Sequence, residues 1–127
     1  MIIKLTEAVD FLDNDFLMKS ETSIDLQWKI YRGTLARQSL PIKIYSVFNE
    51  QYDKFYELYD KAQNTENNYD FGLATEIDQL GVSLEKLYTD IENLLNKDAR
   101  FELKICLEKI VNYLKDLREK VTHDQFA

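Results

Sequence analysis

The residue types most often found at catalytic centres are scarce in this chain of 127 residues. Cys106 could act as a nucleophile beside a suitable base. It lies between Ile105 and Leu107 in a helical pattern, however, which favours a buried structural thiol. His123 is the single histidine and lies within the final five residues, so we expect no Ser-His-Asp triad and no paired-histidine zinc or diiron motif. The sequence therefore contains no complete catalytic centre, and it predicts neither a metal site nor a cofactor.

One arrangement near the carboxyl end could still perform chemistry. In "REKVTH", four residues separate Arg118 from His123. This spacing resembles the Arg-x4–6-His motif of the HEPN ribonucleases, an all-helical family of similar size. The resemblance implies an RNA-cleaving toxin that acts as a symmetric dimer, with Arg118 and His123 as its site. We also expect the chain after Lys120 to be frayed, so that truncation there would leave the fold intact.

A second group of residues is suited to binding. The segment "NEQYDKFYELYDKA", residues 49–62, interleaves tyrosines with carboxylates. At about 100° per residue, its apolar side chains gather on one helix face and its carboxylates on the other, with Tyr56 at the border. Tyrosine is enriched at contact surfaces, whereas core packing is enough to explain Tyr52 and Tyr59. We therefore predict a partner-binding "acid–tyrosine surface" with these members: Glu50, Asp53, Tyr56, Glu57 and Asp60.

Another set of carboxylates offers an alternative interface. Asp78, Glu85 and Glu92 are seven residues apart, which places them along one flank of a single predicted helix. Such a flank is most often solvated surface. These three residues are therefore the second choice for a partner-binding site.

The charge distribution indicates what kind of partner to expect. The chain carries a net charge of −7, and residues 41–98 hold five Lys or Arg against twelve Asp or Glu. An acidic surface repels phosphate backbones, so we expect no direct binding of nucleic acid. It attracts basic proteins and accelerates their association. Solubility alone is the alternative explanation for the charge.

The spacing of apolar residues predicts helices through most of the chain. The first spans about 6–18, with Val9, Leu12 and Phe16 on one side. A second runs from about 23 to 38 and a third from about 41 to 62. Residues 41–48 could instead form a short strand, because apolar and polar residues alternate there. The three glycines and one proline are few for a fold rich in turns, which favours helices.

The last two predicted helices have the clearest apolar pattern. Leucines and isoleucines step by three and four from Ile77 to Leu94 and again from Leu103 to Val121. Thr75 and Asp98 are the predicted N-caps of these two helices. These rows of apolar residues, which we call the apolar seams, are typical of an antiparallel helical hairpin. We therefore predict an all-α protein: one domain over residues 1–127, folded as a compact bundle of about five helices with a C-terminal hairpin.

Further features predict the compartment. A single cysteine suits a reducing environment. The sequence turns acidic at Glu7, before the apolar region of a signal peptide could form. No uncharged run approaches the roughly 18 residues that a membrane span needs. We therefore expect a soluble cytoplasmic protein that does not bind membranes.

Small size, an acidic surface and the lack of a complete active site together resemble one functional class. In these properties the chain is similar to bacterial immunity proteins, including those of contact-dependent growth inhibition systems. That resemblance implies a non-enzymatic inhibitor that neutralises a basic cognate toxin, such as a nuclease domain, by occluding its active site. A regulatory adaptor is a further alternative. The sequence leaves the identity of the partner and the oligomeric state open.

Overall fold

The described part of the chain is almost entirely helical. The computed structural model describes residues 20–64 and 70–122, with side chains from residue 24 onward. About 91% of these residues are helical and none forms a strand, which confirms the all-α prediction. The helix predicted over about 6–18 lies outside the described residues. The elements, in chain order, are α1 (Ser20–Ala36), α2 (Ile42–Asn64), α3 (Phe71–Ile91), a 3-10 helix (Glu92–Leu94) and α4 (Lys97–Thr122).

Residues 41–48, which the sequence left open between strand and helix, belong to α2. Pro41 lies directly before this helix, where its missing N–H costs nothing. Ile42 is exposed whereas Ile44 is buried, so these two side chains do not share a face as they would in a strand. The Tyr45 hydroxyl donates to the backbone oxygen of Leu35 at 2.9 Å. Tyr45 thus ties α2 to the end of α1.

The starts of α3 and α4 differ from those predicted. Asp70 Oδ1 accepts a hydrogen bond from the Leu73 N–H at 2.9 Å, and α3 begins directly after Asp70. Thr75 is therefore inside the helix. At α4, Asn96 Oδ1 accepts from the Ala99 N–H at 2.8 Å, so Asn96 takes the capping role predicted for Asp98. Asp and Asn cap as well as Ser and Thr do, and spacing alone could not decide between neighbouring candidates.

The predicted apolar seams form the core of the bundle. The seam of α4 is buried along its whole length: Leu103, Leu107, Ile110, Leu114, Leu117 and Val121. The seam of α3 is buried from Ile77 to Ile91, but Leu94 is exposed and Leu95 is buried instead. The prediction for Leu94 was wrong because α3 ends at Ile91, and the 3-10 helix that follows turns about 120° per residue rather than 100°.

The helices pack in the order α2, α3, α4, α1, with close backbone approach between neighbours in that series. The space between α1 and α2 is filled by large rings. Trp28 on α1 lies 5.4 Å from Tyr52 and 5.3 Å from Phe55, measured between ring centroids. Tyr31 stacks on Trp28 at 5.7 Å. The aromatic residues of α1 and α2 therefore hold this side of the bundle together.

The last turn of α4 is part of the packed structure. Val121 is fully buried, and its backbone oxygen accepts a hydrogen bond of 2.9 Å from the N–H of Asp70, the N-cap of α3. Val121 and Thr122 are therefore not frayed, contrary to the expectation for the chain after Lys120, whereas residues 123–127 lie outside the described residues. Within the described residues, no helix is both long and apolar enough to cross a lipid bilayer.

Candidate partner-binding surface

The four carboxylates of the acid–tyrosine surface lie on the exposed face of α2. Glu50, Asp53, Glu57 and Asp60 are all exposed. The opposite face of α2 enters the core through these residues: Ile44, Phe48, Gln51, Phe55, Leu58 and Ala62. The helical periodicity inferred for this segment is thereby confirmed. Its role in binding stays a prediction.

Glu57 differs from the other three carboxylates because its charge is matched locally. Its Oε2 lies 3.2 Å from Lys61 Nζ and 3.5 Å from Lys54 Nζ. Lys54 Nζ also pairs with Glu76 on α3 at 2.8 Å. The hydrogen bond from Lys61, together with the charge of Lys54, lowers the pKa of the Glu57 carboxyl. Glu57 therefore belongs to an ion-pair network that links α2 to α3.

The remaining three carboxylates are not compensated in this way. Among the described residues, Glu50, Asp53 and Asp60 form no ion pair. They share one helix face, so their fields add. Exposed carboxylates that form no ion pair within their own chain can pair with cations of another molecule. We call Glu50, Asp53 and Asp60 the open carboxylates.

Tyr56 is held in place by a residue of another helix. Its hydroxyl donates a hydrogen bond to Asp25 Oδ1 on α1. Its ring is half-buried and lies 5.1 Å from Tyr52 and 6.0 Å from Tyr59, between centroids. Burial, with a further contribution from the Asp25 hydrogen bond, raises the pKa of the Tyr56 hydroxyl well above its usual value. Tyr56 therefore stays protonated and bridges α1 and α2.

The rings around Tyr56 form a continuous band that also includes α1 and α4. The guanidinium of Arg32 on α1 lies 4.8 Å from the centroid of the Tyr52 ring, which is a cation–π arrangement. On α4, the Tyr113 ring lies 6.3 Å from that of Tyr59. Asp25, Arg32 and Tyr113 come from other helices, and nothing in the local pattern around residues 49–62 could have identified them.

The alkaline stability of the protein should depend on Tyr56. An unfolded tyrosine ionises near pH 10, and the folded state resists this ionisation because the Tyr56 pKa is raised. The unfolded chain therefore loses protons first, and the free energy of unfolding falls as pH rises above about 10. Tyr56→Phe should cost about 0.5–1.5 kcal/mol near neutral pH through the lost hydrogen bond. The substitution should also make the free energy of unfolding fall less steeply above about pH 10. Urea titrations at several pH values, followed by circular dichroism, would measure this. An equally steep decline in both proteins would contradict this role.

The three carboxylates of the alternative interface, Asp78, Glu85 and Glu92, lie in different surroundings. Asp78 Oδ2 accepts a hydrogen bond of 2.8 Å from Arg118 Nε on α4. Glu85 borders a cavity of about 290 Å³ that is also lined by Lys104 and Lys115 of α4. Glu92 is the first residue of the 3-10 helix and lies beyond the end of α3. Lysine and arginine side chains of α4 therefore lie close to Asp78 and Glu85.

Two of the three residues that could support catalysis have other contacts in the described part of the chain. Arg118 is paired with Asp78, whereas His123 lies outside the described residues. Cys106 is buried, as predicted, and burial followed by the charge of Glu102 raises its pKa to about 11. The thiol is therefore protonated near neutral pH and weakly nucleophilic. Within the described ranges, no three His, Cys, Asp or Glu residues are placed to hold a metal ion.

Comparison of the chain with protein-family models, curated sequences and solved structures found no match.

Proposed function

We propose that this protein is a non-enzymatic immunity protein, which binds a basic toxin and blocks its active site in the cytoplasm. The expected target is a nuclease domain, because nuclease clefts are basic. The observation that carries the proposal is the set of open carboxylates, Glu50, Asp53 and Asp60, which lie on one exposed face of α2 and form no ion pair with other described residues. Asp78, Glu85 and Glu92 form the alternative interface.

The mechanism is occlusion of a cleft that normally binds phosphates. The open carboxylates would occupy positions that RNA or DNA phosphates take in the toxin, and would pair with its Lys and Arg side chains. The summed field of the carboxylates steers a basic partner during approach and accelerates association. The short-range contacts then determine how long the complex lasts. No bond is formed or broken in this mechanism.

Tyr56 would supply the short-range contact beside these charges. Its hydroxyl is fixed by Asp25 and its ring is supported by Tyr52, Phe55 and Tyr59. A side chain that is already ordered loses little rotamer entropy on binding. Aromatic residues with an apolar ring and a polar tip often contribute most to such interfaces. We therefore propose Tyr56 as the anchor of the interface.

In this proposal, the rest of the bundle is a rigid scaffold for α2. We propose that α3 and α4 form a C-terminal antiparallel hairpin within it. The placement of Asp78 beside Arg118 and of Tyr88 beside Arg100 supports this, because each pair joins one end of α3 to the opposite end of α4. The helix over about 6–18 would be the fifth member of the bundle.

The proposed function can be tested by capturing the partner from the native host. The bait is the intact protein, and the matched bait carries Glu50→Lys, Asp53→Lys and Asp60→Lys. The expected result is a basic protein retained by the first bait and lost from the second. Adding the purified protein should then abolish the nuclease activity of that partner. A captured partner whose activity is unaffected would contradict inhibition.

The ribonuclease alternative makes a separate prediction. We expect the purified protein to leave single-stranded RNA intact, because Arg118 is paired with Asp78 and the acidic surface repels phosphates. The measurement is RNA cleavage by gel electrophoresis with the parent, Arg118→Ala and His123→Ala proteins. Cleavage that both substitutions abolish would instead establish the HEPN-type reaction.

A further inference from the structure

A polar cavity lies between α2 and α3, beside one of the open carboxylates. Its volume is about 250 Å³. The charged and polar side chains of its lining come from both helices: Glu50, Gln51 and Lys54 of α2, and Glu76, Gln79 and Ser83 of α3. Because Glu50 is one of the open carboxylates, the cavity adjoins the acid–tyrosine surface.

Gln51 carries a buried acceptor that has no donor. The side chain is 4% exposed, and its Nε2 donates to the backbone oxygen and to the Oγ of Ser83, both at 3.0 Å. A backbone oxygen only accepts, so this contact fixes which end of the carboxamide is the amide nitrogen. The other end, Oε1, is buried and receives no hydrogen bond from the described residues. Such an atom costs free energy until a donor reaches it.

The charges around the cavity favour a cation as that donor. Lys54 Nζ is paired with Glu76 Oε1 at 2.8 Å, so these two charges offset each other. Glu50 forms no ion pair with other described residues, which leaves one negative charge at the cavity. A positively charged donor would match both Glu50 and the Gln51 oxygen.

An arginine side chain meets these requirements better than a lysine side chain does. The guanidinium has five N–H donors and no acceptor, so it can donate to a carboxylate and to an amide oxygen at once. It is also more weakly hydrated than an ammonium group, which lowers the cost of entering a partly enclosed cavity. The last torsion of a glutamine side chain is broad, so the Gln51 carboxamide can turn towards an entering donor.

We propose that this cavity receives an arginine side chain of the basic partner, whose guanidinium donates to the Glu50 carboxylate and to Gln51 Oε1. The inference rests on the proposed function, because it names the group of the toxin that the surface would recognise. Tyr56 contacts α1, whereas this cavity lies between α2 and α3. The interface therefore extends from α2 towards α3.

The site can be tested without the partner by NMR titration with N-acetyl-arginine amide. The backbone amide signal of Ser83 and the side-chain amide signals of Gln51 should shift and saturate. N-acetyl-citrulline amide, in which a neutral urea replaces the guanidinium, should bind more weakly, and so should N-acetyl-lysine amide. Glu50→Gln and Gln51→Leu should each weaken binding of the arginine compound about 10-fold or more, as expected when a hydrogen bond to a charged group is lost.

The matched control is Asp53→Asn. Asp53 is an open carboxylate that is not part of the cavity lining, so the affinity should stay close to that of the parent. Glu50 is exposed, and a loss of binding in Glu50→Gln would therefore not be caused by unfolding. The inference would be overturned by the absence of a saturable shift at Ser83. Equal binding of the arginine compound and either of the other two compounds would also overturn it.

Surface plasmon resonance with the captured partner separates this inference from the proposed function. Gln51→Leu leaves the net charge unchanged, so the association rate constant should be maintained while the dissociation rate constant rises about 10-fold. An unchanged dissociation rate would overturn the arginine site, although inhibition of the partner by the parent protein would still support the immunity function. Binding of the arginine compound at Ser83, without inhibition of a captured nuclease, would support the site and contradict that function.

Discussion

Replacing Ile110 by alanine should lower the free energy of unfolding by about 2–5 kcal/mol. Ile110 has no exposed surface and belongs to the seam that runs along α4. Three carbon atoms are removed, and the neighbouring helices can collapse only partly around the space that is left. The loss is therefore the transfer free energy of these atoms plus the cost of the cavity. Urea denaturation followed by circular dichroism would measure it.

The matched control is Ile42→Ala. Ile42 is 82% exposed, so removing the same atoms at this position should change the free energy of unfolding by less than about 0.5 kcal/mol. The difference between the two variants isolates the effect of burial from that of residue type. Equal effects at both positions would mean that α4 does not pack as described.

Reversing the open carboxylates should weaken binding of the captured partner mainly by slowing association. With Glu50→Lys, Asp53→Lys and Asp60→Lys together, the association rate constant at low salt should fall roughly 10-fold or more, because the steering field changes sign. The free energy of unfolding should change little, since these exposed side chains form no ion pair with other described residues. Surface plasmon resonance at two ionic strengths would measure the effect, which should shrink as salt rises.

The control variant has the same net charge as the first triple variant, but its three substitutions lie on another face of the protein. Glu108→Lys, Asp116→Lys and Glu119→Lys alter three exposed residues of α4. This variant should keep an association rate closer to that of the parent. Similar losses in the two triple variants would mean that only total charge matters. Unchanged kinetics in the first variant would shift the interface to Asp78, Glu85 and Glu92.

Glu57 illustrates why the carboxylates of α2 should not be treated as one group. The sequence placed it among four equivalent acidic residues. In the folded protein it pairs with Lys54 and Lys61, and Lys54 also reaches Glu76 on α3. Reversal of Glu57 would therefore disturb the contact between α2 and α3 as well as the surface charge. Binding experiments are clearer when this residue is left intact.

For the described residues, the sequence by itself determined the helices and most of the core. The apolar side chains of α2 and α4 recur at the period of an α-helix, and the period is a local property that needs no knowledge of neighbours. The positions that it assigned to the interior of α4, from Leu103 to Val121, are buried. Local pattern was less informative where several residues could cap the start of a helix, as at Asp70 and Asn96.

Only the tertiary structure decided which charges and rings act together. Tyr56 is bound to Asp25, 31 residues earlier in the chain, and Arg118 is bound to Asp78, 40 residues earlier. Pairs so distant in sequence leave no periodic signal, because their proximity depends on how whole helices pack. Leu94 was misplaced for a related reason, since the helix ends three residues before it. Periodicity determines which face of a helix is buried, but the packing of the other helices determines which exposed charges are left without a partner.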